Sequence, residues 1–90
     1  RGFPDGTFRP EQPVTRAEMA LIIGYADQVQ PVPPLGNPFK DVGRTHWAAP
    51  MLNALKLKGV VSGTDDNVYE PGKKASRAEF TTILYRVYRQ

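Results

Sequence analysis

A chain of 90 residues and 10.0 kDa has room for one small domain at most. Its 40% hydrophobic and 23% charged residues are the balance of a folded chain, which argues against intrinsic disorder. No apolar run approaches the about 18 residues that a membrane-spanning helix needs, and no basic-then-apolar leader opens the sequence. We therefore expect neither membrane insertion nor a signal peptide in these residues.

The cysteine and histidine content limits the metal sites and catalytic groups that the chain can form. The chain contains no cysteine, which excludes disulfides, zinc-thiolate sites and cysteine nucleophiles, and its single histidine, His46, excludes a multi-histidine metal site. No nucleophile–base pair and no phosphate-cradling glycine loop can be assigned. We predict that these residues form no enzyme and hold no metal or cofactor.

The net charge of +3 is unevenly distributed. Residues 1–39 carry three basic and four acidic side chains, whereas residues 40–90 carry nine basic and five acidic ones. This bias favours an anionic partner or is simply a solvated surface. Basic and aromatic residues alternate near the C-terminus, but Tyr88 shares a helical face with Leu84 and is expected to pack. We therefore expect no nucleic-acid partner.

The sequence contains an internal repeat. Residues 2–19 align without gaps with residues 63–80, at an offset of 61 positions. The identical pairs include Gly2 with Gly63, Asp5 with Asp66, Pro10 with Pro71, and residues 16–18 with residues 77–79, while Phe8 matches Tyr69 and Thr15 matches Ser76. The chain therefore holds one complete unit and the trailing half of another, as in a fragment of a longer repeat protein.

Three helices are expected in chain order. Thr15 and Ser76 each open a capping box, Ser/Thr-x-x-Glu, ahead of apolar residues at helical spacing, which predicts helices near 16–28 and 77–88. A third helix between them starts near 47–49, since Pro50 suits only a first turn, and ends at Gly59.

The segments between the helices are interpreted from their turn residues. Residues 30–38 contain four of the nine prolines and predict a stiff linker. Residues 63–67 predict a turn, and residues 68–70 a short strand. We divide the chain into a trailing half-repeat (1–29), a linker (30–38) and a complete repeat (39–90), in an all-α fold with short extended segments.

Five ordered sequence pieces resemble the S-layer homology domain family. They are Phe-Lys-Asp-Val at 39–42, His-Trp-Ala at 46–48, Gly-Val-Val-Ser-Gly at 59–63, Tyr-Glu-Pro at 69–71 and Ser-Arg-Ala-Glu at 76–79. The half-unit matches the second half of the same pattern at residues 2–10 and 14–18. The resemblance covers all of the chain except the linker.

The resemblance implies a fold and a function. Members of this family consist of helix–loop–helix repeats, usually three around a pseudo-threefold axis, forming a helical prism. Grooves between the repeats bind bacterial secondary cell-wall polysaccharide, often bearing ketal-linked pyruvate, and so attach extracellular proteins to the cell wall or S-layer without covalent bonds. The alternative is a structural or protein-interaction repeat that mediates assembly without binding sugar.

Two arginines are the leading candidates for ligand binding. Arg16 and Arg77 directly follow the capping residues, where a guanidinium and the free N–H groups of a helix start can share one carboxylate. Thr15 and Ser76 would lie beside that ligand. The alternative for each arginine is a salt bridge to a nearby acid.

Two further residues have open roles. Trp47 is a candidate for stacking on a sugar ring or for anchoring the core. Asp41 either bonds the turn before the middle helix or contacts the ligand.

The second unit departs from the family pattern at two places. It has Ser76 where the family has threonine, and its turn at residues 65–67 differs from residues 4–6 of the first unit. Because one and a half units cannot close a three-unit prism, we also expect pairing with another copy or repeat, as a dimer or a domain swap.

Overall fold

The computed structural model describes residues 14–89, which contain three α-helices. They are α1 (Arg16–Ala26), α2 (Ala49–Leu57) and α3 (Arg77–Tyr88). Within this part of the chain, extended pairing is limited to isolated bridges, one joining Thr15 to Lys74 and the other Phe39 to Val42. The predicted all-α class is therefore confirmed. The turn at residues 4–6 lies outside the described residues.

Capping boxes start α1 and α3, as predicted. At α1, the Thr15 Oγ1 accepts from the Glu18 N–H at 3.1 Å, and the Glu18 carboxylate accepts from the Thr15 N–H at 2.8 Å. Ser76 and Glu79 make the same two bonds, at 3.1 and 2.7 Å. Each pair satisfies two N–H groups that a helix start otherwise leaves unpaired.

The first helix ends at Ala26, two residues earlier than predicted. Gln28 adopts a left-handed conformation with a φ of 59°. Its N–H donates to the Tyr25 carbonyl at 3.1 Å, and the Val29 N–H donates to the Gly24 carbonyl at 2.8 Å. This is a Schellman motif, and it closes the helix although glutamine carries a Cβ.

The middle helix begins at Ala49, within the predicted range. Its N-cap, Ala48, has no capping side chain; instead the His46 Nδ1 accepts from the Ala48 N–H at 3.0 Å. Pro50 lies in the first turn, where its missing N–H breaks no helical bond. At the other end, Gly59 has a φ of 77° and follows the C-cap, as its position in the sequence predicted.

The helices pair across the sequence repeats. Helix α2 packs against α1, which belongs to the preceding unit, and α3 also contacts α1. Between α2 and α3, both fully described, no comparable contact exists although they belong to one sequence repeat. The α1–α2 contact is close at Gly24, where an added Cβ would lie 2.4 Å from the Met51 sulfur. Packing is therefore tightest between one unit's second helix and the next unit's first.

The predicted strand at residues 68–70 is wrong. Glu70 has a φ of 62°, which no strand accommodates. Tyr69 is 1% exposed, and its ring lies 5.1 Å from that of Phe39 in the core. The segment is therefore an irregular loop held by its contacts. The preceding turn is as predicted, since the Asn67 N–H donates to the Thr64 carbonyl at 2.8 Å.

Candidate functional site

The start of α1 is already occupied by the loop that precedes α3. The Arg16 N–H donates to the Lys73 carbonyl at 2.8 Å, and the Ala17 N–H donates to the Pro71 carbonyl at 3.0 Å. The next N–H, from Glu18, donates to the Thr15 side chain. The first turn of α1 therefore has its donors paired, so an anion would not find there the free N–H groups that the sequence suggested.

The Arg16 side chain ties this loop to both helices. Its Nε donates to the Tyr69 carbonyl at 2.8 Å, and its guanidinium carbon lies 4.5 Å from the centre of the Tyr69 ring. Its Nη1 forms an ion pair with the Glu79 carboxylate of α3. In return, the Tyr69 hydroxyl donates to the Arg16 carbonyl at 3.1 Å. The side chain is 17% exposed, so Arg16 is largely engaged within the protein.

The surroundings of this ion pair shift two pKa values. Burial raises the pKa of Tyr69 from 10.0 to about 12, although the Arg16 charge opposes this shift. For Glu79, partial burial acts to raise the pKa, but the Ser76 backbone bond and the Arg16 charge outweigh it and lower the pKa below its usual value. At neutral pH the Tyr69 hydroxyl is therefore neutral and the Glu79 carboxylate is ionised.

Arg77 has the same sequence position as Arg16 but a different environment. It is exposed, and within residues 14–89 its guanidinium has no hydrogen-bond or ion-pair partner. The backbone N–H groups of Arg77 and Ala78 likewise have no partner in the described part of the chain. At α3, a cation and two open N–H donors therefore occur together, as the sequence suggested for both units.

The other two predicted residues lie in different places. The Asp41 carboxylate accepts from the Tyr69 N–H at 2.9 Å and the Glu70 N–H at 2.8 Å, so it holds the loop rather than the turn before α2. Trp47 is 59% exposed and stacks on His46, with ring centres 5.2 Å apart. The interpretation of Trp47 as a core anchor is therefore wrong, because Phe39 and Tyr69 fill that role instead.

A groove of about 210 Å³ lies between α3 and the loops that pack on α1. Polar groups on its wall include two arginines, one glutamate and hydroxyls; the lining residues are Arg16, Val61, Ser62, Tyr69, Ala78, Glu79, Thr82, Ile83 and Arg86. Arg86 Nη1 also donates to the Val60 carbonyl at 3.4 Å. With one carboxylate against two guanidinium groups, the groove carries a net positive charge.

Sequence reasoning missed Thr82 and Arg86 as site residues. They continue a polar row from Glu79 at positions i, i+3 and i+7, which places all three on one face of α3. That spacing is visible in the sequence beside the buried pair Ile83 and Val87. The polar row was therefore the available signal for this wall of the groove.

No helix formed by residues 14–89 combines the length and apolar character required to cross a membrane. In the same part of the chain, no group of three histidine, aspartate or glutamate side chains is placed to hold a metal ion.

Comparison with known proteins gives a family and several relatives. The family model described as the S-layer homology domain matches residues 1–20 and 38–81. Cell surface glycoprotein 1 of Acetivibrio thermocellus is 38% identical over 93% of the chain, and the cellulosome-anchoring protein of the same organism is 35% identical over 96%. The S-layer protein sap of Bacillus anthracis is 40% identical over 76%. The chain spans 4%, 20% and 8% of these three relatives, respectively.

Proposed function

Because the chain belongs to the S-layer homology domain family, we propose that it contributes to cell-wall anchoring by binding an anionic, pyruvylated secondary cell-wall polysaccharide. The location is the bacterial cell surface, in keeping with relatives named for the cell surface, cellulosome anchoring and the S-layer. The role is binding without catalysis. Any enzymatic activity of a longer parent protein belongs to residues outside these 90.

The positively charged groove beside α3 is the observation that carries this proposal. Its guanidinium groups suit a carboxylate, and the Ser62 and Thr82 hydroxyls suit the hydroxyl groups of a sugar. Val61 and Ile83 add an apolar wall for the face of a sugar ring. At about 210 Å³ the groove is smaller than pockets that enclose a drug-sized ligand, so we propose that it holds one saccharide unit while the polymer continues over the surface.

The two arginines of the repeat receive different roles in this proposal. Arg77, with its open charge and the N–H groups at the start of α3, contacts a ligand carboxylate, and Ser76 holds that helix start in place. Arg16 and Thr15 shape the groove, because Arg16 is engaged with Tyr69 and Glu79.

Trp47 and Asp41 complete the set of residues in the proposal. Trp47 offers an exposed ring on which a further sugar unit stacks. Asp41 acts indirectly by holding the loop that carries Tyr69.

Calorimetric titration of the 90-residue chain with purified polysaccharide, native and depyruvylated, tests the proposal. Arg86→Ala should weaken binding of the native polymer by about tenfold or more, whereas Arg44→Ala removes the same charge from an exposed loop and should leave binding unchanged. Loss of affinity on depyruvylation would support recognition of the carboxylate. Equal affinity for both polymers, or an unchanged affinity of Arg86→Ala, would contradict it.

One observation favours the alternative of an assembly repeat that binds no sugar. The Glu79 carboxylate already neutralises Arg16, so the charge that points into the groove is smaller than the sequence suggests. Under this alternative the folded chain binds neither polymer but still pairs with other chains. A pull-down on cell-wall sacculi, before and after extraction of the polysaccharide, distinguishes the two functions.

A further inference from the structure

A second groove lies where the C-terminal ends of the three helices meet. It has a volume of about 550 Å³ and is lined by residues 27–30 after α1, residues 58 and 60 after α2, and residues 87–88 at the end of α3. We call it the C-terminal groove. Among the described residues, it shares no lining residue with the groove beside α3. Pockets that hold small ligands measure about 300–1,000 Å³, so this groove has room for a ligand of its own.

The polar side chains at its rim are free to bind a ligand. Asp27, Gln28 and Gln30 are exposed, and within residues 14–89 their side chains make no hydrogen bond or ion pair. Each of the two amides offers both donors and an acceptor, and the carboxylate offers acceptors. This set of groups suits a ligand whose neighbouring hydroxyl groups donate and accept hydrogen bonds.

The backbone at Gln28 favours glycine, yet the chain carries a side chain there. Helices α1 and α2 both end with a left-handed residue directly after the C-cap, with φ values of 59° at Gln28 and 77° at Gly59. Glycine adopts this conformation without steric cost, whereas the Cβ of glutamine crowds the neighbouring backbone. The glutamine therefore occupies this position at a conformational cost, and the residue it places there lines the groove.

The rest of the wall is apolar and aromatic. Val29, Val60 and Val87 are buried and line the groove from three different segments. Tyr88 is 75% exposed and also lines the groove. A tyrosine ring packs against the apolar face of a ligand while its hydroxyl remains in water. A sugar ring has such an apolar face of C–H groups, together with a rim of hydroxyl groups.

The charges of the C-terminal groove indicate an uncharged ligand. Asp27 and Lys58 bring one negative and one positive charge, so its described lining residues have no net charge. The groove beside α3, in contrast, has two arginines against one glutamate. An anionic saccharide unit therefore gains no net attraction in the C-terminal groove.

The segment beside the groove argues against an extended peptide as the ligand. A peptide that binds as an added strand needs free N–H and C=O groups along an edge. Residues 31, 33 and 34 are prolines and have no N–H. The Val32 N–H donates to the Pro50 carbonyl at 3.0 Å, and the Val32 carbonyl accepts from the Asn53 side chain at 3.0 Å. This described segment therefore offers no edge to a peptide.

We propose that the C-terminal groove binds an uncharged saccharide unit. Asp27, Gln28 and Gln30 pair with its hydroxyl groups, and Tyr88 packs on its apolar face. The unit belongs either to the cell-wall polysaccharide itself or to a separate neutral glycan. This inference does not rest on the groove beside α3, because the two grooves differ in lining and in charge.

NMR titration of the isotope-labelled 90-residue chain tests the proposal. The probes are cellobiose and N,N′-diacetylchitobiose, two uncharged disaccharides. At least one of them should cause saturable shifts of the Gln28 and Gln30 side-chain amides and of the backbone amides at residues 87–88. The absence of saturable shifts with both disaccharides, or shifts confined to other surfaces of the chain, would overturn the proposal.

Two variants and a matched control give the sharper result. Glycine suits the left-handed backbone, so Gln28→Gly removes the amide and keeps the fold, which circular dichroism checks. Gln28→Gly and Tyr88→Ala should each raise the Kd of the bound disaccharide by about fivefold or more. Tyr85→Ala is the control, because it removes an exposed ring from the same helix outside both grooves and should leave the Kd unchanged. An unchanged Kd for either Gln28→Gly or Tyr88→Ala would contradict the assignment.

The probes separate this proposal from carboxylate recognition and identify the source of the sugar. Neither disaccharide carries a carboxylate, so a failure to bind them overturns this proposal alone and leaves the comparison of native and depyruvylated polysaccharide intact. If Gln28→Gly also weakens binding of the depyruvylated polysaccharide, the neutral unit belongs to that polymer. If it weakens only the disaccharide, a separate glycan is the ligand.

Discussion

The close approach of α1 and α2 at Gly24 makes a quantitative prediction. Replacing Gly24 with alanine adds a single Cβ to a buried helical position. In the structure that atom would lie 2.4 Å from the sulfur of Met51 and 2.9 Å from both its Cγ and its Cε. Real Cβ atoms do not approach other heavy atoms so closely, so the Met51 side chain or the helix itself must move.

Two effects of opposite sign determine the outcome. Alanine is better than glycine inside a helix by about 1 kcal/mol. Overpacking a filled core costs about 1–3 kcal/mol, and Met51 is 1% exposed, so its side chain has no solvent-facing space to enter. The cost matches or exceeds the gain, and we expect Gly24→Ala to lower the free energy of unfolding by up to about 2 kcal/mol. In a domain of this size each kcal/mol corresponds to about 4–8 °C in Tm.

Thermal and urea unfolding, followed by circular dichroism, measure this effect. Gly36→Ala is the control, because a Cβ there meets nothing within 4 Å. The same Gly24→Ala change should become stabilising in a Met51→Ala background, where the colliding atoms are gone. Because Met51→Ala itself costs about 2–5 kcal/mol, all variants are compared in one stabilising osmolyte. A Gly24→Ala chain that is more stable than the wild type would refute the reasoning.

Three further predictions concern the loop and the caps. The pKa of Tyr69 is about 12 in the folded protein and 10.0 in the unfolded chain. The neutral hydroxyl therefore stabilises the folded state in full below pH 10, and about 2 kcal/mol of the free energy of unfolding is lost as the pH rises towards 12. Urea midpoints measured across that range should fall less steeply for Tyr69→Phe than for the wild type; equal slopes would contradict this. Asp41→Asn leaves one of the Tyr69 and Glu70 N–H groups without an acceptor, so it should lower the free energy of unfolding in urea by about 1–2 kcal/mol. The control Asp66→Asn, at an exposed position, should leave it unchanged. Ser76→Ala should cost about 0.5–2 kcal/mol in the same assay through the lost cap, and a change below that range would show that the hydroxyl contributes little.

Local features of the fold followed from the sequence, whereas long-range contacts did not. Both capping boxes and the bounds of α3 were predictable because their partners lie three residues apart. The loop at residues 68–70 was not, since its shape depends on the Asp41 carboxylate 28 positions away. Nothing in a run of Val-Tyr-Glu shows that the N–H groups of that run will meet a distant carboxylate.

In the candidate site, too, the local positions of residues were predictable from the sequence, and their long-range partners were not. The repeat correctly placed Arg16 and Arg77 after their caps, and symmetry suggested that they are equivalent. They are not, because the partner of Arg16 is Tyr69, 53 positions away. For Trp47 the sequence left sugar stacking and core anchoring both open; the structure places the side chain 59% exposed, and Phe39 and Tyr69 pack in the core instead.

The pairing of α2 with α1, instead of with α3, also bears on how such proteins gain and lose repeats. The two helices that pack together, α1 and α2, belong to successive sequence repeats, so the packed pair spans the boundary between the repeats. Duplication of one 61-residue period at the DNA level adds one helix of each kind, wherever the break points fall. Each added copy therefore creates one further boundary at which the second helix of one repeat meets the first helix of the next. Recombination can change the number of repeats while this order of helices is kept.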